Sequence, residues 1–298
     1  MSTGEYIIQQ SINAVSIGSL YALMAIGLAM VFGILRLINF AHGDLIMVGS
    51  YVTLILNIAG VPFWAAVIVG ILASMAAGLI MERVAYRPIR GAQDVAMLLT
   101  SFAVTIFLEN LAILIFNPTS RPFKAPLELT TVLTYGNLRI SSLDLFAIIV
   151  AGVLLVGLTL FITRTETGTA MRAASQDLLA ARLMGINVNR VTVAAFAISS
   201  ILAGIVGIIW STRVGKIDPL MGFNPVLKAF VASVIGGLGS LPGAVFGGYL
   251  LGILEILLQG FLPTTLTPYR DAFVFLILII LLLFRPNGIF GSTEKEKI

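Results

Sequence analysis

Apolar residues fall in long, unbroken blocks at 11–35, 44–59, 62–82, 96–116, 143–163, 191–210, 244–260 and 271–285, parted by short polar stretches. A helix needs about 20 apolar residues to cross the hydrocarbon core of a bilayer. The blocks lack the strict alternation of a lipid-facing barrel strand, so they predict helices. A shorter apolar piece at 225–237 is either a ninth span or a re-entrant segment. The expected fold is all-α: a polytopic transmembrane helix bundle of about eight spans, within a range of seven to nine, forming one transmembrane domain over 1–298.

Composition agrees. Hydrophobic residues make up 58% of the chain and charged residues 11%, with a mean hydropathy of +1.04. A soluble domain carries about 25% charged residues to keep its surface wet, so this chain needs lipid. The net charge of +4 is scattered rather than clustered, which excludes a nucleic-acid face. Cysteine is absent, and with it any disulfide framework or thiolate site. The first residues include Glu5 and no basic n-region, so the first apolar block reads as a retained helix rather than a cleaved signal.

Orientation follows from the basic residues. Arg36, three arginines in 83–95, four in 164–190, and Arg285, Lys295 and Lys297 of the tail make up eleven of the eighteen. Placing them inside puts the N-terminus outside and the C-terminus in the cytoplasm. That requires an odd number of crossings. The Pro- and Thr-rich segment 117–142 then becomes an external loop, either a docking surface or a plain connection.

Chemistry concentrates where hydrophobicity breaks. In 27–51 a long apolar run ends at Asn39, Phe40, Ala41, His42, Gly43 and Asp44 and resumes at once. Such a break is either a helix-capping turn or an interrupted helix whose backbone lines a cavity. His42 and Asp44 are close enough in sequence to pair, and Asp44 suits a helix N-terminus. In 233–260, Gly239, Gly243 and Gly247 recur every four residues, as do Gly248 and Gly252. This spacing lets helix backbones pack closely in lipid. No glycine stretch carries the Gly-Lys-Ser/Thr ending of a phosphate loop, so no nucleotide site is expected here. Segment 164–190 predicts a short amphipathic helix from Thr169 to Met184, capped by Gly185. It either rests on the membrane surface or docks into a cytoplasmic partner. Glu109, Lys228 (after Asn224 and Pro225) and Glu255 lie inside apolar runs, where each is expected to face protein or water.

The segments INFAHGDLIMVGSY (38–51), ERVAYRPIRG (82–91), GTAMRAASQDLLAARLMGINVNRV (168–191) and GFNPVLKAFVASVIGGLGSLPGAVFGGYLLGILE (222–255) resemble permease subunits of bacterial ABC importers for branched-chain amino acids, of the LivH type. The resemblance implies an inner-membrane subunit forming half of a translocation pathway. It would pair with a second, related permease, two cytoplasmic ATPase subunits and a periplasmic binding protein. ATP would bind to the partner subunits, leaving this chain without cofactor, metal or catalytic residue. The 169–185 helix becomes a coupling helix, with Arg172, Asp177, Ala181 and Gly185 in a groove of the ATPase. Asn39, His42, Asp44, Glu109, Asn224 and Lys228 are the candidates for lining the path. Permeases for urea or short-chain amides share the NFAHG-type segment and stand as the alternative. A stand-alone secondary transporter using Glu109 or Asp44 is a second. An intramembrane enzyme is disfavoured by a single histidine and no nucleophile constellation.

Overall fold

The computed structural model describes residues 3–263, 265–285 and 288–290. Lys295 and Lys297, used above for orientation, lie outside them. Among the described residues the chain is almost wholly helical. Seven helices are long and apolar enough to cross a membrane: α1 (Thr3–Leu35), α3 (Phe63–Met81, continued by a π-turn, Glu82–Tyr86), α4 (Asp94–Phe116), α6 (Ser142–Arg164), α9 (Val188–Val214), α11 (Leu241–Phe261) and α12 (Arg270–Phe284, continuing from the 3-10 turn Thr267–Tyr269). Two apolar helices are shorter, α2 (His42–Ile58) and α10 (Phe223–Gly236).

Helix α1 is the axis of the bundle. From Leu20 to Val31 its side chains are buried on all sides, against α6, α9, α10 and α11. A helix apolar all round is stable only when neighbours cover every face. The closest of these is α11, and glycines are the reason. A side-chain carbon on Gly248 would meet the backbone of Ala22, and one on Gly252 the backbone of Gly18. Gly243 and Gly247 face the opposite way, against Gly236 and the Ala232 carbonyl of α10. The four-residue spacing thus divides into two seams, one per neighbour, with dispersion contact in place of side chains. Gly239 is not part of either seam, contrary to the spacing argument. It lies in the turn before α11 with φ +83°, where its backbone passes Gly33 of α1. Ser240 caps α11 by accepting the Gly243 N–H at 3.2 Å, and Pro242 fills the first turn.

The short helices complete crossings that begin as extended chain. After α1 ends, residues 36–41 turn back into the bundle without helical structure, and α2 starts beside Gly27 of α1 and Ser199, near the middle of α9. The second break mirrors the first. After α9, β4 (Lys216–Ile217) pairs with β1 (Arg121–Pro122) at the opposite end of the bundle, and the chain re-enters to begin α10 against the start of α2. Nine traverses result among the described residues, seven by full helices and two by half-helix plus extended segment. Of the two readings of 225–237, a ninth span or a re-entrant segment, α10 fits the first, as a short helix that completes a traverse begun without helical structure. At one end of the bundle, 117–142 folds into β1, a helical turn α5 (Leu127–Thr130) and the hairpin β2 (Val132–Tyr135)–β3 (Leu138–Ser141). The hairpin receives the start of α1 through Asn137 Nδ2 to Glu5 at 3.1 Å and Arg139 N–H to Gln9 at 2.9 Å.

At the other end, a single helix over 169–185 does not form. α7 (Glu166–Gln176) stops at Asp177, which is extended (φ −148°, ψ 110°), and α8 (Leu178–Leu183) restarts. Asp177 Oδ1 accepts the N–H groups of Leu179 and Ala180, both at 2.8 Å. A carboxylate that takes two free donors at a helix start competes with continuing the preceding helix. Gly185 does cap α8: it is left-handed (φ +84°), its N–H reaches the Arg182 carbonyl and the Ile186 N–H the Ala181 carbonyl, each at 3.0 Å.

Candidate functional site

The starts of α2 and α10 meet inside the bundle with almost nothing between them. A carbon added to Gly43 would lie 2.9 Å from the Gly222 carbonyl carbon and 3.0 Å from Val226. The break at 39–44 is not a side-chain-capped turn, because α2 has no side-chain cap hydrogen bond. Its first N–H groups instead close tight turns, from His42 to Asn39, Gly43 to Phe40 and Asp44 to Ala41. Around these turns the neighbours supply polar groups. Tyr86 donates to Asn39 Oδ1 at 2.7 Å, and Ser101 of α4 accepts the Phe40 N–H at 2.7 Å.

His42 and Asp44 do not pair. The His42 ring is fully buried, with Nδ1 3.2 Å from Ser199 Oγ of α9 and Nε2 unpartnered against Gly27. Successive side chains of a helix start point to different faces. Asp44 accordingly turns toward α4, where Thr105 and Glu109 lie one turn apart. Asn110 is spent on its own helix, donating to the Ile106 carbonyl at 2.7 Å.

Lys228 turns the other way, into an ion-pair cluster joining α1, α10, α11 and α12. Its Nζ lies 3.0 Å from Glu255, 3.3 Å from Asp271 and 3.2 Å from the Tyr21 hydroxyl. Glu255 also accepts from Tyr21 at 2.6 Å and Arg270 at 2.6 Å. Two cations balance two anions, the condition under which charges survive burial. Asn224 stands apart, exposed at the first turn of α10. Candidates Asn39, His42 and Asp44 thus gather at the half-helix junction with Glu109 nearby, Lys228 belongs to a separate network, and Asn224 flanks the junction.

Sequence reasoning missed Tyr86, Ser101, Thr105 and Ser199 at the junction, and Tyr21, Arg270 and Asp271 in the ion-pair cluster. Ser101, Thr105 and Glu109 recur every four residues in α4, a polar stripe on an apolar helix that could have been read. Nothing local marks Ser199 or Tyr21 among similar residues on their helices.

At the arm end, α7 and α8 form a second candidate site. Met171, Ala174 and Ala181 are buried toward the bundle, while Arg172, Asp177 and Gly185 face outward. Leu179, Leu183 and Met184 are 67%, 81% and 83% exposed. Glu82 of the π-turn pairs with Arg90, which also donates to Asn189 at 2.6 Å and so ties 82–93 to the start of α9. Burial, and then nearby Arg182, pull Arg90 below its ordinary value.

Seven spanning helices, two half-helices meeting inside, and an apolar-edged arm at one end define a helical membrane protein of the permease class. The chain matches over residues 11–282 the family described as branched-chain amino acid transport system / permease component. It is 38% identical to the high-affinity branched-chain amino acid transport system permease protein BraD of Pseudomonas aeruginosa, over 98% of both chains. Its identity to the corresponding protein LivH of Escherichia coli is also 38%, again over 98% of both. LivM of Escherichia coli matches at 25%, over 96% of this chain and 71% of LivM. The chain belongs to the branched-chain amino acid transport permease family.

Proposed function

We propose that this chain is the membrane-spanning permease subunit of an ATP-driven importer for branched-chain amino acids. The observation that carries the motor half of this reading is the exposed edge of α8. Leu179, Leu183 and Met184 project from the arm end beside Arg172 and Asp177, and a short apolar edge rimmed by charge suits insertion into a groove of a soluble partner. The partners are a pair of cytoplasmic ATPases that bind the nucleotide, this chain carrying no cofactor. The arm end is then cytoplasmic and the hairpin end periplasmic, with the N-terminus outside, in a bacterial inner membrane. Similarity to both LivH and LivM supports a pair of related permeases around one path. The folded 117–142 segment, with Leu127 and Leu133 exposed, offers the surface on which a substrate-loaded binding protein would sit.

The test is ATP-driven uptake of labelled leucine by proteoliposomes holding this chain with its partner permease, ATPases and binding protein. Charge reversal at Arg172 or Asp177 is expected to leave assembly of the permease pair intact while separating ATP hydrolysis from uptake. Normal uptake after replacing 169–185 by a Gly/Ser linker would sink the reading, as would uptake by this chain alone under an ion gradient.

A further inference from the structure

We propose that Asp44, Thr105 and Glu109 form a station that binds the ammonium group of the passing amino acid; this rests on the importer reading above. The starting point is an imbalance of charge. Four other acids in the bundle have cations: Glu82 has Arg90, Asp144 has Arg213, and Glu255 and Asp271 share Lys228 and Arg270. Asp44 and Glu109 have none among the described residues. Asp44 is 2% exposed, and its Oδ2 has no hydrogen-bond partner. The buried hydroxyl of Thr105 lies beside it, likewise without a geometrically sound partner. Glu109, half-buried one turn further along α4, is close enough to act on Asp44 electrostatically. A carboxylate in an apolar interior is stable only when paired or hydrogen-bonded. Here the missing partner is positive.

The surrounding groups narrow its class. The first N–H groups of α2 are consumed by the carbonyls of 39–41, so the junction does not offer the free donors that would take a carboxylate. Lys228 is held in its own cluster. No group of three His, Cys, Asp or Glu with metal-holding geometry occurs among the described residues. What remains is two carboxyl groups and one hydroxyl, each able to accept, which fits an –NH3+ with three donors. Phe40, stacked on Phe102 at 4.7 Å and tilted on Phe230 at 5.5 Å, forms an apolar wall one turn away, of a kind suited to a branched aliphatic side chain.

Two measurements on the complete importer test this. A hydrophobic carbodiimide modifies buried protonated carboxyls and its adducts are read by mass spectrometry. Modification of Asp44 or Glu109 should be suppressed by leucine and by isoamylamine, which keeps the ammonium and side chain. Isocaproate, which keeps only the carboxylate and side chain, should not protect. In uptake, Asp44→Asn and Glu109→Gln should each lower the leucine rate about tenfold or more, the scale of a lost charge-assisted hydrogen bond. Glu109→Asp should retain most of it, and all variants should still copurify with the ATPases. Equal protection by isocaproate, no protection by isoamylamine, or wild-type uptake in both charge-removing variants would overturn the station. Should the wild-type complex fail to import leucine while isoamylamine still protects, the importer reading falls and the ammonium site stands.

Discussion

Single residues here act through what they lack as much as through what they carry. Gly43 and Gly222 let two half-helices start against one another, and neither position has room for a methyl group on either side. Overpacking of this kind costs about 1–3 kcal/mol where neighbours can shift and more where the obstacle is backbone. Gly222→Ala is therefore expected to lower the thermal midpoint of the purified chain. Gly91→Ala, at an open turn with φ +85°, should cost only the roughly 1–2 kcal/mol of left-handed strain. The ion-pair cluster behaves differently. Removing Glu255 alone leaves Lys228 and Arg270 with Asp271 as their one anion, so that one positive charge is stranded, and breaking a buried pair costs about 3–5 kcal/mol. Replacing both partners removes the stranded charge. Glu255→Leu should be more damaging than the double change Glu255→Leu with Lys228→Met, a difference readable in the yield of folded protein or its thermal midpoint. If the double variant is the worse of the two, Asp271 alone suffices for both cations and the charge balance described here does not set the stability of the cluster.

At the level of elements, long apolar helices were legible from sequence and the exceptions share one cause. All seven full spans fall on blocks read from hydropathy, because a bilayer forces every backbone group into a helix over the same length. The half-helices were harder. Their non-helical halves, 36–41 and 215–222, take Tyr86 and Ser101 as partners at Asn39 and Phe40 and the β1 strand at 216–217, all distant in sequence, while 218–222 closes local turns. Of the two readings of His42 and Asp44, a pair or an Asp44 that begins the next helix, the second holds: Asp44 lies in the first turn of α2, and a two-residue spacing on a helix start sends side chains apart. The arm shows the opposite limit, since its break at Asp177 is local and rests on two cap hydrogen bonds. Asp177→Ala should remove about 1 kcal/mol of capping and let α7 run into α8, moving Leu183 and Met184 away from their outward positions. With the proposed docking role, this variant should lose most stimulation of ATP hydrolysis by the loaded binding protein. Asp177→Asn keeps one acceptor and should retain more. Equal stimulation in the two variants would show that the cap does not set the docking geometry.

Across the whole molecule, nine traverses fix the relation between the two ends. The single crossing by α6 (Ser142–Arg164) places the hairpin at 132–141 and the arm at 166–183 on opposite faces, and the excess of Arg36, Arg83, Arg87, Arg164, Arg172 and Arg182 at the arm end agrees, by the positive-inside rule, with the cytoplasmic side proposed for that end. Eight traverses would put both termini on one side. The absence of cysteine makes the placement of hairpin and arm measurable without further engineering. Asn137→Cys, at the hairpin tip, and Met184→Cys, at the exposed end of α8, each introduce one thiol at a solvent-facing position. A membrane-impermeant maleimide added to intact spheroplasts should label the first and spare the second, and inverted vesicles should reverse the pattern. Both positions labelled from one side would refute the crossing by α6, the one traverse that separates hairpin from arm. Labelling of Met184→Cys from outside with Asn137→Cys protected would keep that crossing and invert the molecule. The arm would then face away from any cytoplasmic ATPase, and the coupling role assigned to α7 and α8 would fall with it.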